Sequence, residues 1–186
     1  MRRWPVLLTA LLLLLSGCAP QARELDGMAL VRVLGVDGGE EVTLSAVCGG
    51  TDQGDVSRGK VSAADFQSAR QALPWVGEEE LALTNISYII IGAEADLSGA
   101  LEQILSDHEM SPSATVWLTQ DAGVLLDGCD DPAARLAVLE EQGVQAPTVV
   151  MVLAALETDG QVELPVLRLA DGLLEPVGQA VWEERP

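Results

Sequence analysis

Apolar and polar residues alternate after residue 40. Val42, Leu44, Ala46 and Cys48 fall on one face, and Glu41, Thr43 and Ser45 fall on the other. A period of two marks a half-buried strand. The preceding segment, Met28 to Asp37, gains β-branched residues in its second half and ends at Gly38-Gly39. Together the two segments predict a β-hairpin that opens the folded region. A polar, Gly-rich stretch from Gly49 to Lys60 reads as a loop, with a short strand near Val56-Ser57. Ser62 is then placed to cap a helix over Ala63 to Leu73, with Phe66, Ala69, Arg70 and Leu73 along one side and Pro74 as its stop. Glu78-Glu79-Glu80 reads as a solvated acidic loop. It lacks the spaced oxygens and the glycine turn of a calcium loop.

Ile86 to Ile91 is the most apolar strand candidate. Its run Ile89-Ile90-Ile91 suits a central strand covered on both faces. Ser113 to Thr119 is a further strand. Between the two, Leu97, Leu101, Ile104 and Leu105 form a helical stripe over Gly99 to Asp107, capped by Asp96 or Ser98. Strand, helix, strand implies a parallel pair. Asp121 to Leu126 predicts a short helix. Asp131-Pro132 opens the next, with Leu136, Val138 and Leu139 inside and Gly143 closing it. Thr148 to Leu156 reads two ways: Val149 to Val152 favours a strand and Ala154 to Glu157 a helix. Thr148 as cap and Gly160 as stop decide for the helix. Val162 to Leu169 and Leu174 to Trp182 predict a closing hairpin around Asp171-Gly172. The expected fold class is α/β (α+β), a mixed β-sheet with flanking helices, starting and ending in β-hairpins.

The N-terminus changes the picture from fold to location. Arg2 and Arg3 precede an apolar run from Val6 to Leu15, broken only by Thr9. The run is shorter than the roughly 20 residues a spanning helix needs. Leu15-Ser16-Gly17-Cys18 follows. A basic start, a short apolar core and small residues before a cut describe a secretory signal. With a cysteine after the cut, this motif resembles a bacterial lipobox, which implies a diacylglyceryl group, and further acyl groups such as palmitate, on Cys18. More than one acyl chain on one residue holds a protein firmly to a bilayer. The expected organisation is a lipoprotein signal peptide over residues 1–17, a lipid-anchored spacer over 18–22, a globular domain over 23–182 and a frayed tail over 183–186. The expected location is the extracytoplasmic face of a bacterial membrane.

Charge and cysteine usage narrow the partners. Loss of Arg2 and Arg3 with the leader takes the ten basic residues to eight, against 29 acidic ones, a net charge of −21. Such a chain is repelled by phosphates, so no nucleic-acid partner is expected. Anionic head groups repel it too, which leaves attachment to the lipid anchor. Besides Cys18 there are Cys48 and Cys129. Outside the cytoplasm they could pair, yet two cysteines far apart are a weak disulfide signal and the ordinary expectation is two buried side chains.

The order of motifs is similar to that of a known family. Arg23-Glu24-Leu25-Asp26 stands shortly after the lipid cysteine, and a strand follows that ends Leu34-Gly35-Val36-Asp37. Tyr88-Ile89-Ile90-Ile91-Gly92, then Ile104-Leu105-Ser106-Asp107 through Ala114-Thr115-Val116-Trp117-Leu118, continue the series. Leu164-Pro165-Val166-Leu167-Arg168-Leu169 and Val177-Gly178-Gln179-Ala180-Val181-Trp182 close it. In this order the chain resembles the N-terminal domain of the Ger(x)C family, the C subunits of nutrient germinant receptors. Two positions depart from the pattern: Asn85 stands where the family usually has His, and Ala93 precedes Glu94 after the strand glycine. Family members usually continue into further domains. The resemblance implies a non-catalytic lipoprotein of spore germination on the outer face of the spore inner membrane. Its implied partners are integral membrane subunits of the receptor.

No constellation for catalysis stands beside this. His108 is the single histidine, set between Asp107 and Glu109, and is expected to sit at a helix end favoured by the dipole. There is no Gly-x-Ser-x-Gly elbow, no phosphate loop and no Cys-x-x-Cys, so neither an enzyme nor a cofactor or metal is expected. The partner-binding site is expected on the last strand, at Val177, Val181 and Trp182. The alternative is a stand-alone envelope lipoprotein that binds a small ligand or envelope component. It would need a concave pocket, with Trp75 or Trp117 in its wall.

Overall fold

The computed structural model describes residues 28–49, 56–75 and 80–183. The expected leader, Cys18, the spacer, Glu78-Glu79 and the Trp75 side chain lie outside the described part. The opening hairpin forms as the alternation requires, with β1 (Met28–Asp37) antiparallel to β2 (Val42–Cys48). The next element departs from expectation. β3 (Arg58–Ala63) pairs with β2 through Ser62 and Ala63, so Ser62 caps nothing and the strand begins directly after Val56-Ser57. Asp65 is the cap instead, accepting from the Ser68 N–H, and α1 spans Phe66–Ala72. Phe66, Ala69 and Leu73 are buried. A turn at Leu73–Trp75 leads to β4 (Glu80–Ala82), so Glu80 starts a short strand beside β1.

β5 (Tyr88–Gly92) is central, parallel to β1 on one side and to β6 (Thr115–Thr119) on the other. All five residues of β5 are buried. Between them runs α2 (Leu97–Ser106), with Asp96 as its cap. Leu105, expected in the stripe, is 48% exposed, and Ala100 takes the inner position. α3 (Ala122–Asp127) and α4 (Pro132–Glu141) follow, capped by Asp121 and Asp131. Val138 is exposed rather than buried. α5 (Val149–Asp159) is a helix, capped by Thr148 and ended at Gly160. Four of the five described helices start on an aspartate, and a cap contributes about 1 kcal/mol.

The chain closes with β7 (Gln161–Ala170) and β8 (Leu173–Glu183), joined at Asp171-Gly172, both with positive φ, as a two-residue hairpin turn prefers. Glu183 belongs to β8 and not to a frayed tail. The strands lie in the order β3-β2-β1-β5-β6-β7-β8, with β4 alongside β1, a mixed α/β sheet as expected. One core fills the side under α1, α2 and α5, around Leu34, Ile89, Ile91, Leu101, Ile104 and Val116. The other lies under α3 and α4, around Val33, Ile90, Trp117, Leu126 and Leu136. Cys48 belongs to the first core and Cys129 to the second, and no disulfide joins them across the sheet.

Two carboxylate clamps tie neighbouring elements together. Arg70 of α1 donates to Asp107 at 2.5 Å and to Glu109 beyond the end of α2. Burial alone would raise the Asp107 carboxyl, but the Arg70 hydrogen bond, the Glu109 N–H and the charges of Arg70 and His108 hold it below its ordinary range. The stabilisation from this pair is present above the usual carboxylate pKa and is lost as pH falls through the lower folded value. His108 is exposed just past the helix end. The second clamp is Asp37, whose oxygens accept from the Ala122 and Gly123 N–H groups at 2.7 and 2.8 Å. It ties β1 to the start of α3. Gly92 makes room for it, since a side chain there would collide with the Asp37 carboxyl.

Candidate functional site

β8 ends the strand order, so its outer edge has no strand partner among the described residues. That edge is a ready template for another chain. The hairpin that carries it is joined to the rest of the sheet by one register pair, Leu118 with Val166. Pro165 of β7 has no N–H to give to a ladder. Side chains supply the rest of the attachment: Leu164 packs in the first core, and Leu167 and Leu174 in the second. Arg135 of α4 also donates from Nε to the Leu174 carbonyl at 2.9 Å.

The three residues expected to meet a partner do not behave alike. Trp182 stands opposite Val162, and both pack partly buried against the first core. Val181 stands opposite Glu163 and is 54% exposed. Val177 is the extra residue of a bulge: Gly178 faces Val166, Pro176 faces Leu167, and Val177 between them has no opposite number. It is 50% exposed. Gly178 has φ +135°, a conformation that side chains resist. A bulge and a proline are devices that blunt an edge, so Pro176 to Gly178 interrupt the outer side of β8. The regular stretch that remains, Gln179 to Glu183, carries Val181 outward. The strand thus brings Val177 and Val181 to the surface and turns Trp182 inward.

The tryptophan expected in a ligand pocket is elsewhere. Trp117 is fully buried in the second core, its Nε1 donating to the Thr115 hydroxyl at 3.0 Å. A concave site does exist at the carboxyl end of β1, the place where open α/β sheets hold ligands. It is a cleft of about 350 Å³, walled by Val36, Val42, Phe66 and Ala100. Its three carboxylates are spent on backbone: Asp37 on Ala122 and Gly123, Asp65 on Ser68, and Asp96 on Gly99. Ser45 and Lys60 face each other across β2 and β3, a pairing that could suggest a nucleophile and its base. Ser45 is 4% exposed with its hydroxyl buried, so substrate cannot reach it. Among the described residues no group of His, Cys, Asp and Glu side chains is placed to hold a metal ion. None of the described helices is long and apolar enough to cross a membrane.

No family model, curated protein or solved structure was found to match the chain. The functional reading therefore rests on the surface just described and on the sequence motifs.

Proposed function

We propose that this protein is a lipid-anchored, non-catalytic subunit of a membrane complex of the nutrient germinant receptor kind, tethered through Cys18. It would present the β8 edge to an integral membrane partner. The observation that carries the reading is the regular stretch Gln179 to Glu183, which exposes Val181 on a strand with no neighbour beyond it among the described residues, with Val177 exposed at the bulge beside it. Tethering suits such a modest surface. Confinement to the membrane raises the effective concentration of the partner, so a weak strand-edge contact suffices. The lipobox and the Ger(x)C-like order of motifs support the choice of partner class.

The test is a crosslinked pull-down from membranes, comparing the lipidated protein with Cys18→Ala. Recovery of a multi-spanning protein with the wild type, and its loss with Cys18→Ala, is the expected result. Recovery of the lipoprotein alone, under conditions that keep membrane complexes intact, would overturn the reading.

A further inference from the structure

At the amino-terminal end of the parallel strands, far along the sheet from the Asp37 clamp, four polar side chains form one chain of hydrogen bonds. Tyr88 of β5 and Thr115 of β6 are register partners and stand side by side. Trp117 lies two residues further along β6 on the same face. Glu140, in the last turn of α4, lies over them. Trp117 Nε1 donates to Thr115 Oγ1 at 3.0 Å, and Thr115 donates in turn to Glu140 Oε1 at 3.0 Å. Tyr88 Oη donates to Glu140 Oε2 at a longer 3.4 Å. Because the indole can only donate, it fixes the direction of the threonine hydroxyl. Burial first, and then the Glu140 charge, raise the Tyr88 phenol above its ordinary value, so it remains a donor.

The result is a carboxylate oriented on both oxygens by hydroxyl groups and paired with no lysine or arginine among the described residues. Arg32 of β1 acts on Tyr88 through its charge but is not part of the wall. Glu140 lines a cavity of about 330 Å³ together with Tyr88, Thr115, Asn85, Ser111 and Ser113. That volume is at the small end of ligand pockets. Every polar side chain in this set besides Glu140 is a neutral hydroxyl or amide. A carboxylate accepts about four hydrogen bonds, and this one receives two from the protein. We infer that the cavity binds a small molecule carrying a primary ammonium group, which would donate to Glu140 while the surrounding hydroxyls hold its polar remainder. The site is separate from β8, and the inference stands whether or not that edge docks a partner.

Ethanolamine, as its ammonium ion, is the probe, and ethylene glycol is its neutral counterpart. The readout is the indole N–H resonance of Trp117, one bond network away from the ligand. Ethanolamine is expected to shift it saturably at millimolar concentrations, and ethylene glycol is not. Glu140→Gln should weaken the effect about tenfold or more, with backbone resonances away from the cavity unchanged. Glu140→Asp, which keeps the charge, should retain part of the binding if Gln perturbs folding. No saturable shift, an equal response to ethylene glycol, or full binding by Glu140→Gln would each overturn the inference.

Discussion

Replacing Trp117 with alanine should destabilise the domain by about 3–5 kcal/mol. That is a large fraction of the roughly 5–15 kcal/mol that holds a typical domain together. Three features combine at this position. The side chain is fully buried, so the space it leaves cannot be refilled from solvent at low cost. It lies on β6, between β5 and β7, where neighbours on both sides limit relaxation. Its loss also removes the donor that orients Thr115 toward Glu140. Urea denaturation monitored by far-UV circular dichroism measures the effect. Trp117→Phe keeps most of the volume and loses only the indole N–H, so it should cost about 1–2 kcal/mol. If Trp117→Ala cost less than about 1 kcal/mol, the second core would not be packed as described.

Asp37→Ala should cost about 2–4 kcal/mol, because it leaves the Ala122 and Gly123 N–H groups without their acceptors. The sign of the charge effect is separate. Burial raises the Asp37 carboxyl, and the Asp121 charge adds to this. The two N–H bonds and Lys60 act in the opposite direction without cancelling it. A raised carboxyl contributes most to stability below its unfolded pKa near 3.8, and the contribution is lost as pH rises through the higher folded value. The ionised carboxylate thus costs something at neutral pH, and its value lies in the two hydrogen bonds. Asp37→Asn keeps an acceptor for one N–H and removes the buried charge. It should therefore cost less than Asp37→Ala at neutral pH and flatten the change in stability as pH rises from about 3.8 through the higher folded value. Denaturation midpoints across that range test both statements. Equal costs for the two variants, with the pH profile unchanged, would show that the clamp does not hold α3.

Val42, Leu44, Ala46 and Cys48 alternate, and they do share one face of β2 against the first core. Thr148 and Gly160 mark as a helix a segment whose first half, Val149 to Val152, reads as a strand. In both cases the signal is local, from side-chain period or cap chemistry. β3 escaped notice because Arg58-Gly59-Lys60-Val61-Ser62-Ala63 pairs through its backbone at a sheet edge. Arg58, Lys60 and Ser62 face solvent, and the inner face is made of Gly59, Val61 and Ala63, an alternation carried by only one large apolar side chain. Ser62, a good cap by type, was spent in that ladder, and Asp65 took the role. Leu105 and Val138 sit on helical faces where a neighbour would have covered them, and none is supplied by the described residues.

The candidate sites divide in the same way. That the last strand is an edge was a reasonable expectation from a closing hairpin, and Val177 and Val181 do reach the surface. Trp182 turns inward because the register sets it opposite Val162. Only the bulge at Val177 determines which residues on either side of it face out, and Gly178 was its single trace in the sequence. The Glu140 network had no trace at all. Its members come from two strands and a helix, and Glu140 follows Leu139 in a helix where Glu141 would have served a sequence reader equally well.

The proposed role sets β8 against a membrane partner. A photo-crosslinking residue at position 181 of the lipidated protein, irradiated in native membranes, tests it most directly, with position 124 on the exposed face of α3 as the comparison. That role predicts a crosslink to a multi-spanning protein from 181 and none from 124. Equal crosslinking from both positions, or a product from 124 alone, would contradict it.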